Sequence, residues 1–306
     1  MKKQLPLAVC LLAAFICAEG QKPDTAWLMV HYKYTYVRDT TNRAHPYTEN
    51  TVLFVGKSAS AYKSYDGLVA DQQFKKAYTE AAASGPDGQS RINRHTQGSR
   101  TQYYQYPGEQ KLFTKETLAF NEYLIQGRMP AIDWKIGADT ATFGGLHCQK
   151  ASCHFGGRDY TVWFCPDLPV HTGPWKLNGL PGVIVDAADS KNEVIFQFNG
   201  VEKTVLLPLK GQSVAGNTNE KDLPPILRDL DDDPNLIVPP ARAIKTTQKE
   251  FDKMKEAIRK DPAAFFQALN QAPDSPGEHP ILVPVKAGPK GTAPVLNNPI
   301  ELPGKQ

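Results

Sequence analysis

"LHCQKASCHFGGRDYTVWFCPD", residues 146–167, is the stretch whose reading decides the fold. Gly156-Gly157 tolerates the positive φ angles that a two-residue hairpin turn requires. A turn there sets Phe155 opposite Arg158, Cys153 opposite Tyr160 and Cys148 opposite Cys165. Because side chains alternate along a strand, Ala151, Cys153, Phe155, Tyr160, Val162 and Phe164 share one apolar face. Cys148, Lys150, His154, Asp159, Trp163 and Cys165 share the other. Counting by parity makes Cys148 and Cys165 a non-hydrogen-bonded pair, the kind in which cross-strand side chains approach most closely. The register therefore predicts a Cys148–Cys165 disulfide, with Cys153 left as a buried thiol.

The same register argues against a metal. His147, Cys148, Cys153 and His154 have the right chemistry for a four-coordinate zinc site. They point to different sides of one strand and cannot converge without breaking the hairpin. No metal and no cofactor is expected from this motif.

Outward from the hairpin, strand signals recur in both directions. "AWLMVHYKYTYVRD" places Leu28, Val30, Tyr32, Tyr34 and Tyr36 on one face at period two. "TTNRAHPYTEN" turns the chain into "TVLFVGK". "TQYYQY", "KLFTKETLAF", "NEYLIQG" and "AIDWKI" precede the hairpin; "VIVDA", "EVIFQF" and "KTVLLPL" follow it. Short strands punctuated by Gly and Pro predict a mainly β fold, an antiparallel sheet in the form of an open bowl or half-barrel. Two segments read as helix. "DQQFKKAYTEAAASG" ends at Gly85, and the stretch after Thr247 has a capping box to Glu250 and an apolar face of Phe251, Met254, Ala257 and Ile258. A short piece, "AAFFQAL", follows Pro262.

The ends of the chain have their own composition. Met1-Lys2-Lys3, an apolar run over residues 5–16 and the small residues Ala18 and Gly20 read as a signal peptide. The run is too short to span a bilayer. Ile16 and Phe15 before Cys17 do not suit lipidation at that cysteine. The expected organisation is a signal peptide over 1–20, a β domain over 21–240, a helical segment over 241–270 and a Pro/Gly-rich tail over 271–306, with "NNPIEL" as a docking strand. The protein is thus expected to be exported, to the periplasm or outside the cell, with no transmembrane span in the mature chain.

The formal net charge is +3. Removing Lys2, Lys3 and Glu19 with the leader leaves a chain close to neutral, which excludes a nucleic-acid partner as the default. "DDDP" at 231–234 lacks the Gly and distal Glu of a calcium loop and reads as a solvated acidic loop. His31, His45, His95 and His171 show no partner spacing, and no nucleophile elbow, zincin helix, Walker loop or dinucleotide fingerprint is present.

Several motifs occur in an order that resembles one family. Cys148-Gln149-Lys150-Ala151, Gly157-Arg158 with Tyr160 and Trp163, Asp167-Leu168-Pro169, Gly173-Pro174 and Gly179-Leu180-Pro181-Gly182-Val183-Ile184 are similar to the signature of the GLPGLI family, exported proteins of the Bacteroidota. The segments "NEYLIQGRMPAIDWKI" and "NPIEL" extend the resemblance over most of the mature chain. Val183 stands where the name motif has Leu. The resemblance implies an all-β protein of the cell envelope and brings no catalytic residues with it.

Two readings of "GLPGVIV" lead to different proteins. In one, Pro181-Gly182 forms the centre of a type II turn that launches a core strand. In the other, Gly179, Leu180, Pro181 and Gly182 join Trp163, Trp175 and Arg158 in a ligand-binding floor, the glycines leaving backbone bare. The turn reading accounts for every residue without a ligand. The functional expectation is a non-enzymatic envelope protein with a protein partner. The alternatives are a carrier of a small hydrophobic or peptide ligand in the bowl, and a hydrolase gathering His171, Asp167 and a Ser or Cys.

Overall fold

The computed structural model of the protein describes residues 23–83, 98–119, 121–204, 235–265 and 296–302. The expected leader, Gly85, the 231–234 loop, the end of "KTVLLPL", most of "AAFFQAL" and the greater part of the tail lie outside the described residues.

The strands are β1 (Asp24–Thr25), β2 (Leu28–Tyr36), β3 (Tyr47–Val55), β4 (Ser60–Ser64), β5 (Gln102–Tyr106), β6 (Lys111–Leu118), β7 (Asn121–Arg128), β8 (Lys135–Phe143), β9 (Leu146–Phe155), β10 (Arg158–Cys165), β11 (Val183–Asp189), β12 (Val194–Lys203), β13 (Leu236–Ile237) and β14 (Ile244–Thr246). The helices are α1 (Tyr65–Ala83) and α2 (Gln248–Lys260). Twelve strands form one sheet in the order β14-β7-β6-β5-β4-β3-β2-β12-β11-β10-β9-β8, which does not close. The fold is mainly β with an open sheet, as the strand spacing predicts. One pair departs from the antiparallel expectation, because β14 lies parallel to β7. It is reached by a long connection rather than a hairpin, so no tight turn sets its direction.

The hairpin register comes out residue for residue: Arg158 faces Phe155 and Tyr160 faces Cys153. Gly156 and Gly157 take φ of 57° and 73°, the left-handed values their turn needs. The strand expected at "AIDWKI" begins only at Lys135 and runs on to Phe143.

Each face of the sheet has its own core. On one, Leu28, Val30 and Tyr32 of β2, Leu53 of β3, Phe196 of β12 and Val162 of β10 meet the inward side chains of residues 166–182, namely Leu168, Trp175, Leu177 and Leu180. This face carries the bowl foreseen in the sequence, and that segment fills it. On the other, Val52 and Phe54 of β3, Tyr104 of β5, Phe113 of β6 and Leu124 of β7 meet Leu68 of α1 together with Ile237 and Ala243. The amphipathic α2 hangs on the sheet through Phe251, whose ring lies 5.5 Å from that of Tyr123. Its capping box, Thr247 with Glu250, forms as its spacing predicts.

Candidate functional site

The residues that drew attention in the sequence fall into three places. Residues 166–182 form the first. Leu180 and Val183 are buried, and Pro181 is exposed. The expected type II turn does not form. Gly182 donates its amide to Leu180 O across three residues, while the Val183 amide goes to Leu168 O, 3.1 Å away. A turn closed on Val183 would require that amide to face Leu180 instead. Glycine is required at 182 by close approach, since a Cβ there would stand 2.1 Å from the Cys165 carbonyl oxygen. Gly179, at φ 93°, lies exposed beside Trp134.

Trp175 anchors this segment. Its indole is 2 % exposed, stacked on Phe196 and flanked by Phe155 and Tyr160. Its backbone sits at φ 56°, a conformation that costs a bulky residue about 1–3 kcal/mol. The surroundings hold it there. Gln105 of β5, buried under the segment, donates from Nε2 to Gly173 O, Trp175 O and Leu177 O, and accepts from Thr172 Oγ1. Thr172 in turn meets Ser60 Oγ at 2.5 Å. Trp175 Nε1 faces the Tyr103 hydroxyl without closing a hydrogen bond, and the buried Tyr160 hydroxyl also lacks a partner.

Trp163 is not in contact with the Trp175 ring. It alternates with Tyr160 along β10, packed on Phe143 and beneath Lys150. Alternation along the strand separates it from Tyr160 and hence from Trp175. Trp163 packs at the edge of the cluster that holds Trp175 and Leu180, while Gly179 and Pro181 are exposed.

The second place is the cysteine pair. The register of β9 and β10, continued one step past Gln149 and Phe164, sets Cys148 opposite Cys165, and the Cys148 thiol donates to Leu146 O at 3.6 Å. The structure holds Cys148, Cys153 and Cys165 as three buried thiols, so the expected bond is not part of it. Burial pushes Cys148 and Cys153 each up to about 12, which keeps them protonated and unreactive at neutral pH.

The third place is Arg158, which is buried at 4 % exposure. It stands at the start of β10, where the ends of β2, β11 and β12 also lie. Its Nη1 donates to Asp189 Oδ2 at 2.8 Å and Glu193 Oε2 at 2.9 Å. Nε donates to Ile300 O at 2.9 Å, and Nη2 to Asn298 Oδ1 at 2.7 Å and Pro299 O at 2.9 Å. Arg43 also reaches Glu193, so two cations balance two carboxylates. Although its own burial works the other way, the hydrogen bonds from Arg158, Arg43 and Asn298 hold Glu193 below the usual carboxylate range. "NNPIEL" packs at this point as an irregular segment, not as the strand expected. Residues 297–302 run from Arg38 O past the Tyr36 hydroxyl to Gly156 O.

Sequence reasoning did not find Asp189, Glu193 or Gln105. They lie 31, 35 and 67 positions from the residues they serve, with no local spacing to signal them. It also passed over a cleft of about 620 Å³ lined by His31, Tyr65, Asp66 and Glu202. There His31 Nε2 lies 2.8 Å from Glu202 Oε1 and its ring meets Tyr65 edge-on. His171 and Asp167 are both exposed and share no hydrogen bond, so the triad imagined around them is not assembled. Among the described residues, no three His, Cys, Asp or Glu side chains gather as metal ligands, and no helix is long and apolar enough to cross a membrane.

The chain matches no protein-family model and no curated protein. Among solved structures it is similar to PNGF-II in two crystal forms. The C2 form gives 10 % identity and a TM-score of 0.44 over 74 % of this chain, and the P21 form 11 % and 0.45 over the same share. This chain covers 32 % and 33 % of those chains, about a third of their length. Similarity at that level speaks neither for nor against an activity.

Proposed function

We propose that this chain is an exported cell-envelope protein of the GLPGLI family that binds a polypeptide partner and performs no chemistry on it. One observation carries the reading. The ends of β2, β10, β11 and β12 form a cradle in which residues 297–302 of the same chain already sit, held by a buried arginine and by backbone carbonyls. A surface that seats its own chain in this way has the donors, acceptors and shape that polypeptide recognition requires. The ordered motifs from Cys148 to Ile184 and the leader at residues 1–20 support the family and the export.

The test is site-specific photo-crosslinking in the producing cell, with a benzophenone amino acid at Lys176 on the rim of the cradle. The reading expects one discrete adduct from the envelope fraction and a mature amino terminus near Gln21. A cytoplasmic protein, or no adduct at any rim position, would overturn it.

A second reading, a small-ligand carrier, is favoured by the unpartnered Tyr160 hydroxyl and the Trp175 indole nitrogen on the aromatic face. Buried polar atoms without partners are costly unless water or a ligand meets them. Native mass spectrometry of the exported protein that shows no retained or acquired ligand would remove this reading.

A further inference from the structure

We propose that the Arg158 cradle recognises a defined class of peptide, a short segment reading Asn-Pro, an aliphatic residue and an acidic residue. Residues 296–302 occupy it in cis as an exchangeable strap. The inference rests on the binding-protein reading and names what that protein would bind.

The guanidinium is divided between two tasks. Nη1 belongs to the scaffold through Asp189 and Glu193, while Nε and Nη2 face the strap and meet two of its carbonyls and one side chain. When the strap leaves, Arg158 keeps both carboxylates, and Arg43 still pairs with Glu193. The cradle is thus pre-organised without its occupant, which lowers the cost of binding.

Recognition of sequence comes from few side chains. Asn298 is buried; its Nδ2 donates to Val37 O at 2.7 Å and Glu193 Oε2 at 3.0 Å, while its Oδ1 accepts from Arg158. Only an amide offers donor and acceptor in that order. An aspartate there would face Glu193 with like charge. Pro299 is exposed and has no N–H to satisfy; Ile300 packs on the core cluster, and Glu301 pairs with Lys176.

The strap buries little apolar surface. Leu296 is 68 % exposed, and Asn297, Pro299 and Glu301 are exposed as well. A segment held by hydrogen bonds with so little apolar burial opens at low local free energy. Residues 266–295 can span about 100 Å when extended, so chain length does not force the occupant to be the same molecule.

The experiment places a protease site between residues 280 and 285 of the full chain and cuts the folded protein. A fluorescent synthetic peptide of residues 296–302 is then added, alone or against an unlabelled Asn298→Ala competitor. The proposal expects the cut piece to remain bound in native mass spectrometry and to be displaced by the labelled peptide, with the competitor weaker by about tenfold or more. A dimer that the peptide dissolves would be the same cradle filled by a second copy and would also support it. A cut piece that never exchanges, a body that unfolds on cutting, or a released piece that does not rebind would each overturn it. Exchange without any crosslinked envelope partner would leave the site standing and remove the partner-binding reading instead.

Discussion

Arg158 is the residue on which the strand ends converge, and its chemistry sets a clear expectation. Arg158→Met keeps the bulk but leaves Asp189 and Glu193 buried side by side with one fewer cation. Breaking a buried ion cluster from one side costs about 3–5 kcal/mol, and urea unfolding should show a loss of that size. A loss below about 1 kcal/mol, the range of surface pairs, would mean the cluster is solvated. The cysteines carry a second expectation. With Cys148 and Cys153 raised to about 12 and Cys165 also raised by burial, none of the three should be alkylated in the folded protein at pH 7. Refolded with a two-electron oxidant present, before burial closes over the thiols, Cys148 should join Cys165, each thiol losing its proton. Peptide mapping without reductant would show that link, and any bond to Cys153 would contradict the register.

At the scale of elements, the segment 166–182 explains where sequence reasoning stopped. The β9–β10 hairpin was legible because Gly156-Gly157 sets a register that alternation carries outward in both directions. Within 166–182 the same local logic chose the wrong turn for Pro181-Gly182. The partners that decide the geometry are Leu168 O, the Cys165 carbonyl and Gln105, and none of them is adjacent in sequence. Gln105→Leu tests this dependence. It removes one donor from three carbonyls and leaves buried acceptors unpaired, at about 1–3 kcal/mol. Hydrogen exchange should then accelerate at the Thr172 and Leu177 amides while the β9–β10 ladder stays protected. Equal loosening of both would show that Gln105 supports the sheet in general rather than this segment.

For the molecule as a whole, pH offers a test with opposing signs. Glu193 titrates below its ordinary value in the folded state. Its stabilisation is therefore present above the unfolded carboxylate range, near pH 4.3, and is lost as pH falls through the depressed folded value. Glu116 and Asp186 are raised by burial. Their contribution is fully present below the unfolded range and is lost as pH rises through their folded values, so the two effects oppose each other near pH 4–5. Thermal unfolding should show a plateau there and a steep fall at lower pH. Glu193→Gln should flatten the acid limb, and an unchanged limb would place the acid-sensitive group elsewhere.

The sequence by itself determined the fold class, the hairpin register and the helix cap at Thr247. Each depends on periodicity, turn stereochemistry or a capping motif, all of which act over a few residues. Only the tertiary structure decided that Trp175 is buried in the main core while Trp163 sits at its edge, that residues 166–182 pack onto that face, and that Arg158 is buried. Those outcomes depend on partners as far away as Asn298, 140 positions from Arg158. Whether a charge is buried depends on which groups arrive to compensate it, and that is settled when distant strand ends meet.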